Sequence, residues 1–152
     1  MEVKGQIIAG KVAKILIREK SGEKIELGDL LVVDEDGGYL ILKVHNLSYG
    51  SQVPQSAREM LAGMRLEGYG AGLEFLEPEL RNYVLAEARA IIRITKDGEV
   101  RIPKTLPSFF NVVREISKKD LSFLTRPENP VYLGKIRSGS KVLDVDVYLN
   151  GT

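Results

Sequence analysis

The stretch Leu30-Leu31-Val32-Val33-Asp34-Glu35-Asp36-Gly37-Gly38-Tyr39-Leu40-Ile41-Leu42-Lys43-Val44 decides the fold. It holds two apolar runs, and the residues Asp36-Gly37-Gly38 separate them. An Asp-Gly pair between two runs of this kind is a strong signal for a tight hairpin turn. We therefore expect two neighbouring antiparallel strands here.

Alternating segments precede this hairpin. Residues 3–9 and 13–17 place small or apolar residues at every second position, which is the period of a half-buried strand. Ser21-Gly22-Glu23 then supplies a turn. Short strands with turns at intervals of about ten residues indicate a sandwich or a barrel rather than a parallel α/β sheet. The alternating positions are Val3, Gly5, Ile7, Ala9, Ala13, Ile15 and Ile17.

One helix interrupts the strands. Ala57, Met60, Leu61 and Met64 follow the spacing i, i+3, i+4, i+7, which predicts an amphipathic helix over residues 55–66. We expect this methionine-bearing stripe to pack against the core, because methionine fills irregular gaps in protein interiors.

The second half of the sequence returns to strands. From Val84 to Ile94 the even positions are apolar, which predicts one long strand. Phe109 to Ile116 is predicted to form a short helix. The last two strands are expected at Val131 to Ile136 and at Val142 to Leu149.

Composition excludes several classes of function. The chain has 152 residues, no cysteine and one histidine, His45. Disulfides, thiolate catalysis, common structural zinc sites and multi-histidine metal sites are therefore excluded. The 22 basic residues face 21 acidic ones, and a net charge of +1 exerts no general attraction on nucleic acid. No signal region or membrane span is evident, so we expect a cytoplasmic protein without a membrane partner.

A basic, glycine-containing segment near the end of the chain partly resembles a phosphate-binding loop. In residues 134–141 the order is Gly139-Ser140-Lys141, whereas a P-loop needs lysine followed by serine or threonine and then a helix. The segment is therefore interpreted as a basic hairpin loop. Lys135, Arg137 and Lys141 remain candidate phosphate contacts.

The final predicted strand carries a second candidate surface. Asp144, Asp146 and Tyr148 alternate with apolar residues, so they share one face of the strand. Two carboxylates at this spacing fit a metal site less well than a solvated or interface-facing edge. We take the three residues as a candidate protein interface. No catalytic, cofactor-binding or metal-ligating residue is predicted.

Three stretches together resemble the N-terminal barrel of the HerA-like ATPases, the archaeal and bacterial hexameric DNA translocases. The first is Glu26-Leu27-Gly28-Asp29-Leu30-Leu31-Val32-Val33 with Leu40 to Val44, and the second is Tyr83 to Ile94 with the segment from Pro103 to Pro107. The third is the most specific: Pro127-Glu128-Asn129-Pro130-Val131-Tyr132-Leu133-Gly134-Lys135-Ile136, followed by Val142-Leu143-Asp144-Val145-Asp146-Val147-Tyr148-Leu149.

The resemblance implies a mainly β fold, a small closed β-barrel (HAS-barrel) of about six strands with one or two short helices inserted. Residues 1–149 would form this single domain, with the helical insertion near 55–66. Residues 150–152 would begin a linker to a motor domain that holds the Walker A loop, ATP and magnesium. The barrel would help to organise a hexamer on duplex DNA and would face a NurA-like nuclease that acts in end resection.

Two alternatives stay open. The first is a freestanding OB-like β-barrel that binds nucleic acid. The second is an enzyme whose active site the sequence does not reveal.

Overall fold

The chain is mainly β and is built around a closed six-stranded antiparallel barrel with one α-helix. The computed structural model describes residues 2–51, 54–68 and 82–151. A 3-10 helix spans Lys118–Leu121. The other elements are β1 (Val3–Lys11), β2 (Lys14–Glu19), β3 (Leu30–Glu35), β4 (Gly38–Ser51), α1 (Gln55–Leu66), β5 (Asn82–Ile94), β6 (Val100–Arg101), β7 (Val112–Glu115), β8 (Pro130–Ser138) and β9 (Lys141–Asn150).

The barrel closes between β2 and β5. The strands follow the order β2-β1-β7-β3-β4-β5, and β5 pairs back onto β2. At this seam Ile15 lies opposite Ala88, and Ile17 lies opposite Ala86. Large and small side chains therefore face each other where the barrel closes, and all four are buried. The alternating alanines that predicted a long strand are confirmed as the inward face of β5.

The predicted hairpin between β3 and β4 is confirmed. Asp36 and Gly37 have φ values of 50° and 79°, the left-handed pair that a two-residue type I′ turn requires. Gly38 follows on β4, where a Cβ atom would collide with the carbonyl oxygen of Ile94 on β5. Glycine is therefore needed at this position, because the neighbouring strand approaches so closely.

β3 and β4 are apolar on both faces. Leu31 and Leu42 lie opposite each other and point into the barrel, whereas the next pair, Val32 and Ile41, belongs to a second buried cluster outside it. The hairpin of β8 and β9 forms a separate two-stranded sheet and covers this outer cluster with Leu143. A strand pair that is buried on both sides has a continuous apolar sequence, as in residues 30–33.

The prediction of a helix from Phe109 to Ile116 is wrong. Residues 112–115 form strand β7 instead, which lies between β1 and β3 and completes the barrel. Val113 is fully buried in the interior. Valine favours extended backbone, and the two neighbouring strands satisfy the backbone groups that a helix would have paired locally.

The predicted bounds of α1 are confirmed, but its predicted role in the core is wrong. No residue of α1 is buried, and Met60 is 60% exposed. The interior is already filled by side chains from the strands, so the methionine stripe lies at the surface instead.

A buried arginine joins two strands of the barrel wall to the 3-10 helix. Arg114 on β7 donates hydrogen bonds from Nε and Nη2 to Asp34 on β3, over 2.7 and 3.1 Å. It also donates from Nη1 and Nη2 to both carboxylate oxygens of Asp120 in the 3-10 helix, over 2.8 and 2.7 Å. Burial alone would raise the pKa of Asp120, but hydrogen bonds from Arg114 and Ser117 outweigh burial and lower it.

We predict that Asp120→Asn lowers the free energy of unfolding by roughly 2 to 3 kcal/mol, because the substitution leaves a buried guanidinium with one carboxylate partner. The pKa of Asp120 is depressed in the folded protein. Its stabilisation is therefore present above the unfolded value of about 3.9 and is lost as the pH falls through the folded pKa. Urea denaturation between pH 7 and pH 2 measures both effects, since the difference between wild type and variant should shrink in acid.

Arg101→Met is the matched control, because Arg101 pairs with Glu99 in an ion pair whose two side chains are both exposed. Exposed pairs contribute little, so this variant should unfold like the wild type. Equal stability of Asp120→Asn and wild type at pH 7 would contradict a structural role for the arginine network.

Candidate interaction surface

The turn between β8 and β9 fixes the hairpin to the barrel. The backbone N–H of Leu30 donates to Ser138 Oγ over 2.8 Å, and Ser140 Oγ donates to Glu26 Oε1 over 2.9 Å. Gly139 has a φ of 56°, and a Cβ atom there would collide with the Asp29 carboxylate. The basic loop predicted from the residue order is thus confirmed as a hairpin turn that leads into a strand.

In the structure, the two carboxylates of the predicted face, Asp144 and Asp146, contact the same lysine. Asp144 and Asp146 accept hydrogen bonds from Lys135 Nζ over 2.8 and 2.9 Å, and Lys118 Nζ lies 3.7 Å from Asp144. The hydrogen bond from Lys135 lowers the pKa of Asp144, and the hydrogen bond to Asp144 raises the pKa of Lys135. Lys135 thus offsets one of the two negative charges within the hairpin, and Lys118 of the 3-10 helix lies near Asp144 as a second cation.

Tyr148 continues this face toward the open end of the hairpin. Its ring lies 5.7 Å from the ring of Tyr132 on β8, measured between centroids. The guanidinium of Arg126 lies 5.3 Å from the centroid of Tyr148. Aromatic pairs and cation–π contacts at these distances are attractive. Tyr148 is half-buried in these contacts, while Tyr132 remains 58% exposed.

Two of the three candidate phosphate contacts are already paired with carboxylates. Lys135 is held by the two aspartates, and Lys141 Nζ donates to Glu115 Oε1 over 3.2 Å. Arg137 is exposed on β8, opposite Val142. A phosphate would have to compete with carboxylates for two of these three cations.

Sequence reasoning missed the apolar open end of the hairpin. Val131 lies opposite Leu149, and the two side chains are 50% and 55% exposed. Leu133 sits at a bulge and is 57% exposed. The sequence does contain a signal for this end. Three large apolar or aromatic residues follow one another at positions 131–133, whereas a half-buried strand would alternate apolar with polar residues. Exposed apolar residues grouped in this way mark interaction sites more often than residues scattered singly.

In residues 2–51, 54–68 and 82–151, no group of three or more histidine, aspartate or glutamate side chains is placed to hold a metal ion. Within the same ranges, no helix has the length and apolar character needed to cross a bilayer. The single histidine, His45, is exposed on β4.

No family model matches the sequence, and no curated protein is significantly similar to it.

We predict that Lys135→Met raises the pKa of Asp144 toward the ordinary aspartate value of about 3.9, because the hydrogen bond that favours the charged form is lost. Carboxyl carbon NMR titration of both proteins measures the shift. Lys141→Met is the control, since Lys141 pairs with Glu115 and should leave Asp144 unchanged. A low pKa retained in Lys135→Met would show that another group sets the charge of this face.

Proposed function

We propose that this chain is the barrel module of a HerA-like DNA translocase, in which it organises the ring of subunits and docks a partner nuclease. The observation that carries the proposal is a closed six-stranded barrel whose outer face seats a hairpin with an exposed apolar end. A closed barrel is the fold that the resemblance implies. The hairpin gives that barrel a surface suited to contact with another protein.

The hairpin differs from the barrel in its strand edges. Closure pairs both edges of each of the six barrel strands, and pairing removes the edges that invite association. In the part of the chain that the structure describes, β8 and β9 pair only with each other. Their outer edges and their apolar end are therefore available for addition of a strand or for side-chain packing.

The charge pattern favours a protein partner over nucleic acid. Lys135 donates to both Asp144 and Asp146, so the face that also carries Tyr148 presents an aromatic ring beside an ion cluster in which carboxylates outnumber the lysine. Interfaces between proteins combine aromatic anchors with polar groups that fix the relative position of the partners. A surface that binds nucleic acid instead groups cations along the path of the phosphates.

Under this proposal the remaining activities belong to the parent protein. ATP and magnesium would bind in the motor domain, duplex DNA would pass through the hexameric ring, and a NurA-like nuclease would sit against the barrels. The gene tests the assignment directly, since a HerA-like parent continues past Thr152 into a glycine-rich loop that ends in Lys-Ser or Lys-Thr.

We predict that the chain binds duplex DNA only weakly, with a dissociation constant above about 1 μM at physiological salt. The physical reason is the balanced charge and the engagement of Lys135 and Lys141 by carboxylates. Fluorescence anisotropy with labelled duplex and single-stranded oligonucleotides measures the affinity. Submicromolar binding with a steep salt dependence would favour the OB-like alternative.

In the full-length parent, we predict that Asp144→Lys with Asp146→Lys weakens nuclease association by about tenfold, which corresponds to the loss of about 1.4 kcal/mol. The substitution reverses the charges that would set the register with the partner. A pull-down with purified nuclease measures binding, and light scattering measures the size of the ring.

Reversal of the aspartates also breaks their contacts with Lys135, so a second variant adds Lys135→Glu. This variant restores pairing inside the hairpin and keeps the reversed surface charge. Recovery of nuclease binding in the second variant would trace the loss to hairpin integrity and would remove this face from the interface. An unchanged ring with undiminished nuclease binding in the first variant would do the same.

A further inference from the structure

Four cationic side chains lie in one row across the outer wall of the barrel. Lys11 of β1 lies opposite Lys14 of β2, and Lys43 of β4 lies opposite Arg89 of β5. All four residues are exposed to solvent. We call these four residues the cation row.

The seam where the barrel closes joins the two halves of the cation row. Ile15 of β2 lies opposite Ala88 of β5 in an antiparallel pair, so the next residues along, Lys14 and Arg89, are neighbours. Ile15 and Ala88 belong to the interior, and side chains alternate along a strand, so Lys14 and Arg89 point outward. Because barrel strands are tilted against the axis, a row across them rises along the barrel as it turns. Its members therefore share one broad side of the wall.

The cation row is unfavourable for the folded chain alone. Like charges directly opposite each other on neighbouring strands repel and destabilise a sheet. The pair of Lys11 with Lys14 and the pair of Lys43 with Arg89 both have this arrangement. Local conflicts of this kind are expected at functional sites. An anion that lies over the row removes the repulsion.

One carboxylate adjoins the cation row and leaves most of its charge in place. Lys14 Nζ lies 3.2 Å from Glu87 Oε1, and this contact lowers the pKa of Glu87, so the carboxylate is charged at neutral pH. In the part of the chain that the structure describes, Lys11, Lys43 and Arg89 form neither an ion pair nor a side-chain hydrogen bond. Four cations and one carboxylate leave a local net charge of +3, although the whole chain carries only +1.

The length of the cation row matches a nucleic-acid backbone. Neighbouring strands lie about 4.8 Å apart, so four strands spread the row over about 14 Å. Each strand of duplex DNA carries one phosphate per about 3.4 Å of helix axis, so this length faces about four phosphates of one strand. Lysine and arginine contacts to phosphate carry no sequence information. The row therefore suits a contact that does not depend on base sequence.

The composition of the cation row disfavours a single strand and a membrane. Proteins that bind single strands stack the bases on aromatic side chains, and no member of the row is aromatic. Helices that lie on membranes bury a large apolar face in the lipid. The exposed large apolar residues within two positions of the row are Val12 and Ile91, and they are only 46% and 39% exposed.

We propose that the cation row binds the phosphate backbone of duplex nucleic acid without sequence specificity. The contact lies on β1, β2, β4 and β5, whereas the phosphate contacts considered above lie on the hairpin of β8 and β9. It is weak, because about four phosphate contacts supply only non-specific affinity. The inference does not depend on the HerA-like assignment. The reading frame beyond Thr152 tests that assignment, and variants of the row test this contact.

Fluorescence anisotropy with a labelled duplex of about 16 base pairs, at salt from about 20 to 200 mM, tests the contact. The logarithm of the association constant should fall linearly with the logarithm of the salt concentration. Three or four phosphate contacts predict a slope between about −2.7 and −3.6. The dissociation constant should lie between about 1 and 100 μM at about 50 mM salt.

The row variant replaces each member of the cation row by glutamine. It should bind at least about tenfold more weakly at about 50 mM salt and lose most of the slope. Its melting temperature should not fall, because the substitutions remove like-charge repulsion and glutamine at position 14 can still donate to Glu87. A conservative variant, in which the three lysines are replaced by arginine, should keep both the affinity and the slope. The four substitutions of the row variant are Lys11→Gln, Lys14→Gln, Lys43→Gln and Arg89→Gln.

The matched control removes the same number of exposed cations from outside the row. It lowers the net charge of the chain by the same amount, so it separates an effect of the row from an effect of total charge. The control should bind duplex within about twofold of the wild type, because its cations are not grouped along a backbone. Its substitutions are Lys20→Gln, Lys24→Gln, Arg58→Gln and Arg65→Gln.

Three results would overturn the proposal. The first is a wild-type chain that does not bind duplex at about 20 mM salt, where phosphate contacts are strongest. The second is an equal loss of affinity in the row variant and the control, which would show that total charge sets the binding. The third is tighter binding to a single strand of the same length, which would point to base stacking. Binding to phosphatidylserine vesicles in place of duplex would also overturn it and would assign the row to a membrane surface.

Discussion

The apolar character of both faces of β3 and β4 is the constraint on which the rest of the structure depends. Leu31 and Leu42 point to one side of this strand pair, and Val32 and Ile41 point to the other. A sheet with two apolar faces is stable only when both are removed from water. Barrel closure between β2 and β5 buries the first face, and the β8–β9 hairpin buries the second. The hairpin is thus required by the barrel and does not merely follow it in the chain.

Features that local sequence determines were predicted well. The β3–β4 hairpin follows from the pair Asp36-Gly37, and the bounds of α1 follow from apolar spacing over one segment. Strand β7 was missed because its neighbours are distant in sequence, as with Val113 opposite Gly5. The arginine network was missed for the same reason, since 80 residues separate Arg114 from Asp34.

Some features of the candidate surfaces could be predicted from local sequence, and others depend on contacts between distant segments. Alternation along the last strand placed Asp144 and Asp146 on one face, which the structure reproduces. Their shared contact with Lys135 depends on the register of β8 against β9, and a bulge shifts that register between Lys135 and Arg137. No sequence pattern signals such a bulge. The left-handed backbone of Phe110 is equally hidden, because phenylalanine is a residue from which that conformation would not be expected.

Two surface positions carry a local energetic conflict, and the structure relieves only one of them. The first conflict is charge repulsion between Asp144 and Asp146, and the second is backbone strain at Phe110. Like charges at Asp144 and Asp146 repel, and Lys135 reduces that repulsion inside the hairpin because it donates a hydrogen bond to each carboxylate. On this face, free energy for association would have to come from Tyr148 and from the apolar end at Val131. The conflict at Phe110 has no such resolution, because its ring is exposed and its backbone is strained. Natural sequences agree with their structures at most positions, and disagreement persists where function requires it. An asparagine at position 110 would adopt this backbone with less strain, because its short polar side chain tolerates the left-handed region.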